Sequence, residues 1–386
     1  MSVADTKVRP PQPIEVPRGL AGVVVAQTSI GDVLGDEGRY HYRGHDAIEL
    51  ARAGDFERAW QLLVLGSLLD PDADARFHEL VTSLRTPPPE VQQFVADAAT
   101  RQIDPLRGLQ ATLPMLAAAR RSRPLYDLDD EARVEEALAV AAVAPGILAA
   151  FQRARAGDDP WPVSSSGTGV VEDYLFRVTG REPVDRAIRA LSAYLIATID
   201  HGFNASTFTA RVIASTGADM ESCIVGALGA LSGPLHGGAP SRALDALDAV
   251  GSDSAQVDGA RIERYLRDEL SAGRRLMGFG HAVYRTADPR SRLLRQVALE
   301  FGGPRVELAV EYERVAERLL AEYKPGRALH TNVEFYAAIV MEQCGIPREM
   351  FTPTFAMARI VGWTAHVLEQ ARDPKIIRPS SRYVPA

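Results

Sequence analysis

The sequence predicts a mostly α-helical protein of the multi-helical kind, with a large helical domain, a smaller inserted helical domain and short β-hairpin elements near the N-terminus. Strong helix formers such as Ala, Leu, Glu and Arg fill long stretches of the 386 residues. Strand-like alternation of apolar and polar residues is confined to the first 45 residues. Gly and Pro punctuate the remainder, which indicates many helices joined by short turns.

The sequence predicts short strands first and helices after them. Residues 22–44 carry short apolar runs around Gly and Asp, a pattern that predicts hairpin strands. Further along, Leu191 and Leu195 fall on one face of a helical pattern, and Leu308, Val315 and Leu319 do the same opposite charged residues. Such patterns predict helices over four segments: 131–143, 185–195, 262–270 and 306–323.

Two shifts in composition suggest how the helices are grouped into domains. A stretch rich in small residues ends near Leu235, and a charged helical block follows it as far as residues 344–347. If both points are hinges, residues 19–238 and 349–386 form the large domain and residues 239–348 the small one. The Pro-rich residues 1–18 lack the apolar segment of a signal peptide and are expected to be a flexible leader.

Composition excludes several classes of protein. The formal net charge of −7 argues against a general nucleic-acid binder, which would carry a basic excess. Two cysteines cannot form a disulfide framework, so a cytoplasmic location is expected. The longest apolar run, 137–151, is interrupted at Pro145 and is too short to span a bilayer.

The basic residues are almost all arginines. Only Lys7, Lys324 and Lys375 are lysines, and the other 40 of the 43 basic residues are arginines. Imine chemistry needs a desolvated lysine, whereas these three lie in or beside Pro-containing segments. A pyridoxal-phosphate or lysine-imine enzyme is therefore not expected.

Three of the eight histidines stand next to glycine: His201, His236 and His281. Glycine permits tight turns and close approach of a ligand, although a histidine there can equally cap the end of a helix. Three such histidines in one chain favour a functional site. His41 and His45 have i,i+4 spacing but no accompanying carboxylate motif, so no metal site is expected.

Longer motifs carry a resemblance to a known family. The chain resembles citrate synthases in successive blocks, in the right order, over about residues 19 to 384. These blocks read GLAGVVVAQTSIGDV, YRGHDAIELA, HGFNASTFTARVIAST, GALSGPLHGGAP, MGFGHAVYRTADPR, NVEFYAAIV, FAMARIVGWTAHVLEQ and IIRPSSRYV.

The resemblance implies a two-domain homodimer that closes over its substrates. The large domain would form the dimer interface, and the small domain would hold coenzyme A (CoA) and the catalytic carboxylate. The implied reaction is a Claisen condensation of acetyl-CoA with oxaloacetate, followed by hydrolysis to citrate and CoA, as in the tricarboxylic acid cycle. The enzyme would be an acyltransferase without metal or cofactor, since the CoA thioester is a substrate.

The same resemblance implies roles for individual residues. His236 would bind the thioester oxygen, His281 would polarise the oxaloacetate carbonyl and Glu334 would be the base. Oxaloacetate would be held by His201 and three arginines, whose fork geometry suits carboxylates: Arg290, Arg359 and Arg378, the last reaching into the other subunit's site. CoA would contact Gly278, Phe279, Gly280, Arg285 and Asn332.

One position departs from the family pattern. The base is usually an aspartate in an NVDFY-like block, whereas this chain has Glu334, one methylene longer. A displacement of about 1 Å can cost on the order of a hundredfold in rate. Three hypotheses remain open on the sequence: a citrate synthase, a 2-methylcitrate synthase that uses propionyl-CoA, and a weakly active or non-catalytic paralogue that binds CoA or dicarboxylates.

Overall fold

The computed structural model describes residues 14–162, 169–234, 236, 240–251, 257–281, 283–284, 286–327 and 329–385. Within these ranges the chain forms sixteen α-helices and one small sheet. Ten of the helices begin at an Asp or Asn whose side chain accepts a hydrogen bond from a backbone amide of the first turn. Such caps satisfy amide groups that the helix itself leaves without a partner.

The helices divide into two sets by their position in the chain. The first set is α1 Ala47–Ala53, α2 Phe56–Leu65, α3 Pro71–Leu84, α4 Pro89–Ala99, α5 Pro105–Arg120, α6 Asp130–Ala156, α7 Val170–Thr179, α8 Asp185–Thr198, α9 Ala205–Ala214 and α10 Met220–Leu231. The second set is α11 Pro240–Gly251, α12 Gly259–Ser271, α13 Pro289–Phe301, α14 Pro304–Tyr323 and α15 Val333–Gln343, after which α16 Phe351–Ala371 returns to the first set.

The sheet is antiparallel and lies before α1. Its strands are β1 Gly31–Leu34, β2 Arg39–Tyr42 and β3 His45–Asp46, in the order β1-β2-β3. Tyr40 and Tyr42 point from β2 into the core, where their hydroxyls donate to the carbonyls of Ala197 and Ile196 at the end of α8. The sheet is thereby fixed to the helix that leads into His201.

Two long apolar helices, α6 and α16, form the centre of the first set. α16 packs against α6, α9, α10, α2 and α8. By length and composition α6 could cross a membrane, but 78% of its most apolar window is buried inside the protein. It is a core helix surrounded by other helices.

The helices α11 to α15 pack against one another, with α13 on α15 and α12 on α14. Three of them also touch the first set: α13 and α15 both contact α8, and α11 contacts α16. The residues that follow α8 and those that precede α13 and α15 consequently meet at one place.

The mostly helical fold class predicted from the sequence is confirmed, and each predicted helix lies within a longer one: α6, α8, α12 and α14. The predicted break at Pro145 is wrong, because α6 continues through Pro145 to Ala156. A proline removes one backbone hydrogen bond, and the burial of α6 on all sides compensates for it. The strands begin at Gly31, so they occupy the second half of the predicted hairpin region and extend just beyond it to Asp46.

Candidate active site

A pair of short extended segments forms the floor of the site. The Gly280 amide donates to the His330 carbonyl over 2.8 Å, and the Asn332 amide donates to the Gly278 carbonyl over 2.8 Å. Gly278 and Gly280 have φ of +83° and +84°, and a Cβ on Gly278 would lie 2.9 Å from that of Phe335. Glycine is required here because the backbone is left-handed and closely packed.

Asn332 joins this floor to helix α15. Its side-chain amide donates to the Gly280 carbonyl over 3.0 Å, and its Oδ1 accepts from the Glu334 amide over 3.0 Å. One side chain therefore holds the glycine loop and caps the helix that carries Glu334. Phe279 pairs through its backbone with Thr331 in the same floor.

His281 follows the glycine loop with a defined ring orientation. The amides of Val283 and Tyr284 both donate to its Nδ1, over 3.0 and 3.1 Å. Because Nδ1 accepts, the proton of the neutral ring lies on Nε2. Burial, and then the charge of Arg290, lower the pKa of His281 to about 4, so the ring is neutral at pH 7.

Arg290 lies beside this ring and is paired with Asp288. Its Nε and Nη2 donate to the two carboxylate oxygens of Asp288 over 3.0 and 2.8 Å, and both side chains are buried. Its Nη2 is also 3.1 Å from Nε2 of His281. Both groups are donors, so an acceptor oxygen placed against them would complete the arrangement.

His201 faces the same space from the end of α8. Its Nε2 is 2.9 Å from the Tyr284 hydroxyl, and its ring centroid is 5.6 Å from that of His281. Burial, followed by the charges of Arg290 and Arg359, holds the pKa of His201 well below its usual value. The site therefore presents two neutral imidazoles beside two arginines.

Arg359, on α16, is a buried cation that lacks an ion-pair partner among the described residues. Its Nε is buried and has no hydrogen-bond partner, and its guanidinium lies 4.7 Å from the centroid of the Phe355 ring. Burial lowers the pKa of Arg359, although a guanidinium remains charged. A buried cation of this kind is stabilised when an anion binds to it.

His236 is connected to helix α9 through a serine. Its Nε2 is 2.8 Å from the Ser206 hydroxyl, which in turn is 2.7 Å from Oδ1 of Asn204, the cap of α9. Burial and the charge of Arg359 lower the pKa of His236. Oδ1 of Asn204 can only accept, so Ser206 donates its single proton there, and Nε2–H of His236 donates to the Ser206 oxygen.

Glu334 is largely buried in the first turn of α15. Burial raises its pKa to about 7, and the nearby charge of Arg290 offsets only part of this rise. Burial raises the pKa of Tyr194 on α8, the charge of Glu334 adds to this rise, and the charges of Arg359 and Arg290 oppose it. A carboxyl group with a pKa near 7 is suited to transfer protons at neutral pH.

A cavity of about 420 Å³ opens from Glu334 and is lined also by His281, Phe279 and Asn332. Its outer wall has three exposed cations, Arg275, Lys324 and Arg327. A second cavity of about 310 Å³ shares Gly280, His281, Arg327 and Leu329 with it. Among the described residues, no group of three or more His, Cys, Asp or Glu could hold a metal ion.

Most of the predicted site residues are therefore brought together. The rings of His201 and His281 are in contact, Arg290 lies against His281, and the charge of Arg359 acts on His201. Glu334 lines one cavity together with His281, Gly278, Phe279, Gly280 and Asn332. Arg378 is exposed and lies outside this cluster in its own chain. Arg285 lies outside the described residues.

Several contributing residues were not predicted. They are Asp288, Tyr284, Ser206 and His366. Asp288 precedes Pro289 at a helix start, and Ser206 follows the capping Asn204, so both carried a local signal. Their contacts over long sequence separations carried none.

The chain is similar to known proteins over nearly its whole length. The family described as "Citrate synthase, C-terminal domain" matches residues 19–380. A citrate synthase of Haloferax volcanii is 34% identical over 371 residues, 96% of each chain. The solved citrate synthase of Thermotoga maritima is 34% identical with a TM-score of 0.82, covering 96% of each chain.

A second solved structure was determined with ligands. It is the citrate synthase of Thermoplasma acidophilum in a ternary complex with carboxymethyl coenzyme A and oxaloacetate. It is 27% identical with a TM-score of 0.85, and the match covers 96% of this chain and 97% of that one. The chain therefore belongs to the citrate synthase family.

Proposed function

We propose that the protein is a citrate synthase that condenses acetyl-CoA with oxaloacetate and hydrolyses the product to citrate and CoA, the reaction of the tricarboxylic acid cycle. The observation that carries this proposal is the pairing of a buried anion pocket with a buried carboxyl group. Arg359 and Arg290 flank two neutral imidazoles, and Glu334 stands beside them with a pKa of about 7.

Oxaloacetate fits the anion pocket by charge and by hydrogen bonding. Arg359 has no carboxylate of its own within the described residues, whereas Arg290 is already paired with Asp288. A dicarboxylate would bind Arg359 and Arg290 with His201 as a further contact. Its ketone oxygen would accept hydrogen bonds from His281 Nε2–H and from Arg290. Without this oxygen, the two donor groups face each other with no acceptor between them.

Acetyl-CoA would lie in the larger cavity. Gly278, Phe279, Gly280 and Asn332 form its floor, and the three exposed cations suit the phosphates of CoA, with Arg285 a further candidate. Glu334 removes a proton from the acetyl methyl group, and His236 hydrogen-bonds the thioester oxygen, where negative charge develops. The enolate carbon then attacks the ketone carbon of oxaloacetate.

The new C–C bond leaves negative charge on the former ketone oxygen, which takes a proton from His281 Nε2. The ring tolerates this loss because its Nδ1 accepts two amide hydrogen bonds and Arg290 lies alongside. Water then cleaves the thioester C–S bond, giving citrate and the CoA thiol. No step requires a metal or a cofactor.

The site is proposed to be completed in a homodimer. A dicarboxylate brings two negative charges to a pocket in which, among the described residues, one arginine is unpaired, so Arg378 of the partner subunit would supply a second cation. The terminal segments support an interface, since Ile14, Val24, Tyr383 and Val384 are each at least 75% exposed.

The proposed large domain comprises residues 19–238 and 349–386, and the proposed small domain residues 239–348. The first boundary, like Leu235, lies outside the described residues. The second boundary falls within a short 3₁₀ helix, Arg348–Met350, just before α16. A cytoplasmic location is proposed from the two cysteines, which are both buried and unpaired.

The test is the release of CoA thiol with oxaloacetate and either acetyl-CoA or propionyl-CoA. Release with acetyl-CoA, faster than with propionyl-CoA, is the expected result. A clear preference for propionyl-CoA would replace citrate by 2-methylcitrate as the product. Release with neither donor would leave a binding protein without this activity, against the proposal.

A further inference from the structure

A network of three buried polar side chains, Arg211, His366 and Asp200, lies behind the site and lines neither of the two cavities described above. Arg211 on α9 places Nη1 3.2 Å from Nδ1 of His366 on α16. Nε2 of His366 is 3.1 Å from Oδ1 of Asp200, in the turn after α8. All three residues are at most 3% exposed.

In this network each hydrogen bond is donated in the same direction, from Arg211 to His366 and from His366 to Asp200. A guanidinium can only donate, so Nδ1 of His366 accepts from Arg211 and the ring proton lies on Nε2. Nε2–H then donates to Asp200. Burial works to raise the pKa of Asp200, but the interactions with His366 outweigh it and hold that pKa below normal. Asp200 is therefore an oriented carboxylate.

Asp200 in turn fixes the turn that presents the site histidines. Its Oδ2 accepts from the Gly202 amide over 3.2 Å, and its carbonyl, 3.0 Å from the Tyr42 hydroxyl, shares that hydroxyl's single proton with the Ile196 carbonyl. His201 lies between Asp200 and Gly202. Two residues further, Asn204 caps α9 and holds Ser206, the hydrogen-bond partner of His236.

Arg211, at the other end of the hydrogen-bonded network, is also held by several hydrogen bonds. Arg211 donates from Nε to Gln370 over 3.0 Å and from Nη1 to Glu369 over 2.6 Å. Glu369 also accepts from the Ser29 amide over 2.8 Å. Burial would raise the pKa of Glu369, yet these hydrogen bonds lower it to about 2.

A glycine brings α16 against the turn. A Cβ on Gly362 would lie 2.2 Å from the Ile199 carbonyl oxygen and 3.4 Å from the Cβ of Asp200. Gly362 is one helical turn before His366, so both residues lie on the face of α16 that meets the turn. Close packing and hydrogen bonding thus act on the same few residues.

We propose that His366 and Arg211 are positioning residues, which act through Asp200 on the turn 200–206 to place His201 and, through Ser206, His236. The proposal rests on the proposed function, because the two histidines would bind oxaloacetate and the thioester oxygen respectively. A buried ionic network adds little to stability in general, and a role in positioning explains why it lies behind the site.

Three variants test the proposal. His366→Leu removes both hydrogen bonds and is expected to lower kcat/KM for each substrate by about 10–100-fold, since small displacements of catalytic groups have effects of that size. His366→Gln can still accept from Arg211 and donate to Asp200, and should stay within about threefold of wild type. Thr364→Val is the matched control: Thr364 is equally buried on α16, and within the described part of the chain its hydroxyl binds only the carbonyl of Val361.

Hydrogen exchange of residues 199–207, followed by mass spectrometry, gives a readout that does not depend on activity. We expect about tenfold faster exchange in His366→Leu and unchanged exchange in the other two variants. If His366→Leu does not fold, Arg211→Lys replaces it, because lysine keeps the charge but not the fork.

The outcomes separate this proposal from the proposed function. A wild-type protein without thiol release would refute the citrate synthase activity, and the exchange rates would still decide whether the turn depends on His366. Unchanged exchange in His366→Leu would overturn the positioning role. Equal losses in His366→Leu and Thr364→Val, or in His366→Leu and His366→Gln, would also overturn it.

Discussion

At the residue scale, the burial of Glu334 affects both the stability of the fold and the ionisation that catalysis needs. Burial raises its pKa to about 7, so the folded protein favours the neutral carboxyl, whereas the unfolded chain ionises near the ordinary value of 4.5. The ionised form that catalysis needs is thus the form that burial penalises. The same residue should therefore leave a signature in both the rate and the stability of the protein.

The predicted rate signature is a fall in kcat/KM, about tenfold per pH unit below pH 7, as Glu334 becomes protonated. Glu334→Gln should abolish condensation while leaving oxaloacetate binding nearly intact. Thiol release across pH 5.5–8.5 and calorimetric titration with oxaloacetate measure the two effects. Normal turnover in Glu334→Gln would show that another group is the base.

The predicted stability signature has the opposite sign. A raised carboxyl pKa destabilises the fold above that pKa, so Glu334→Gln should be more stable than wild type at pH 8, by roughly 1–3 kcal/mol. The difference should shrink as the pH falls from 7 towards 4.5. Glu307→Gln, an exposed glutamate in the first turn of α14, is the control and should show no such dependence.

Arg359 is a second buried group whose charge is expected to lower the stability of the fold while serving substrate binding. Arg359→Leu removes a buried cation that has no ion-pair partner among the described residues. Oxaloacetate binding should weaken by about 30-fold or more, since losing one partner of a buried charge pair costs about 2–5 kcal/mol. The thermal midpoint should stay equal or rise. Calorimetry and thermal denaturation measure both, with the exposed Arg314→Ala as control. A large fall in the midpoint would contradict this account.

At the scale of elements, the turn between β1 and β2 presses on the loop that follows His281. A Cβ on Gly35 would lie 2.6 Å from the Val283 carbonyl oxygen. Its φ is not in the left-handed region, so Gly35→Ala changes the contact without straining the backbone at that residue. The alanine must displace the loop that orients the His281 ring.

Gly35→Ala should therefore lower kcat/KM for oxaloacetate by about 10–100-fold. Asp36→Ala, in the same turn with an exposed side chain, should be close to wild type. Steady-state kinetics and thermal denaturation on both variants test this. An active Gly35→Ala, or an equally impaired Asp36→Ala, would show that the turn does not support the loop.

Some helices and site residues were predictable from the sequence, and others were not. Helices α8, α12 and α14 followed from their periodic apolar faces, and the histidines were found because glycine stands beside them. Pro145 was misjudged because local rules give a proline its intrinsic cost, while α6 is held by tertiary packing on all sides. His366 could not be assigned, since its partners Arg211 and Asp200 are about 155 and 166 residues away in the chain.

At the scale of the whole molecule, the proposed exchange of Arg378 between subunits can be tested by mixing. Arg378→Ala and His281→Ala should each be inactive as homodimers. A mixed dimer would contain one site with both residues intact and one site with neither. Denaturing and refolding the two variants together in equal amounts should therefore recover about a quarter of the wild-type activity.

The control for this mixing experiment is the pair His281→Ala and Glu334→Gln, for which we expect both residues to act within one chain. Every subunit of that mixture lacks one essential group of its own site, so no activity should return. Recovery in the control and none with Arg378→Ala would place Arg378 in its own subunit's site.

The central position of α6 also has a consequence for biosynthesis. A new chain emerges from the ribosome at roughly 5–20 residues per second, and α16, which covers α6, begins about two hundred residues after α6 ends. For about 10–40 s, then, a helix apolar enough to enter a bilayer waits without its final partner. Chaperones that bind apolar segments during translation should find in α6 their principal target on this chain.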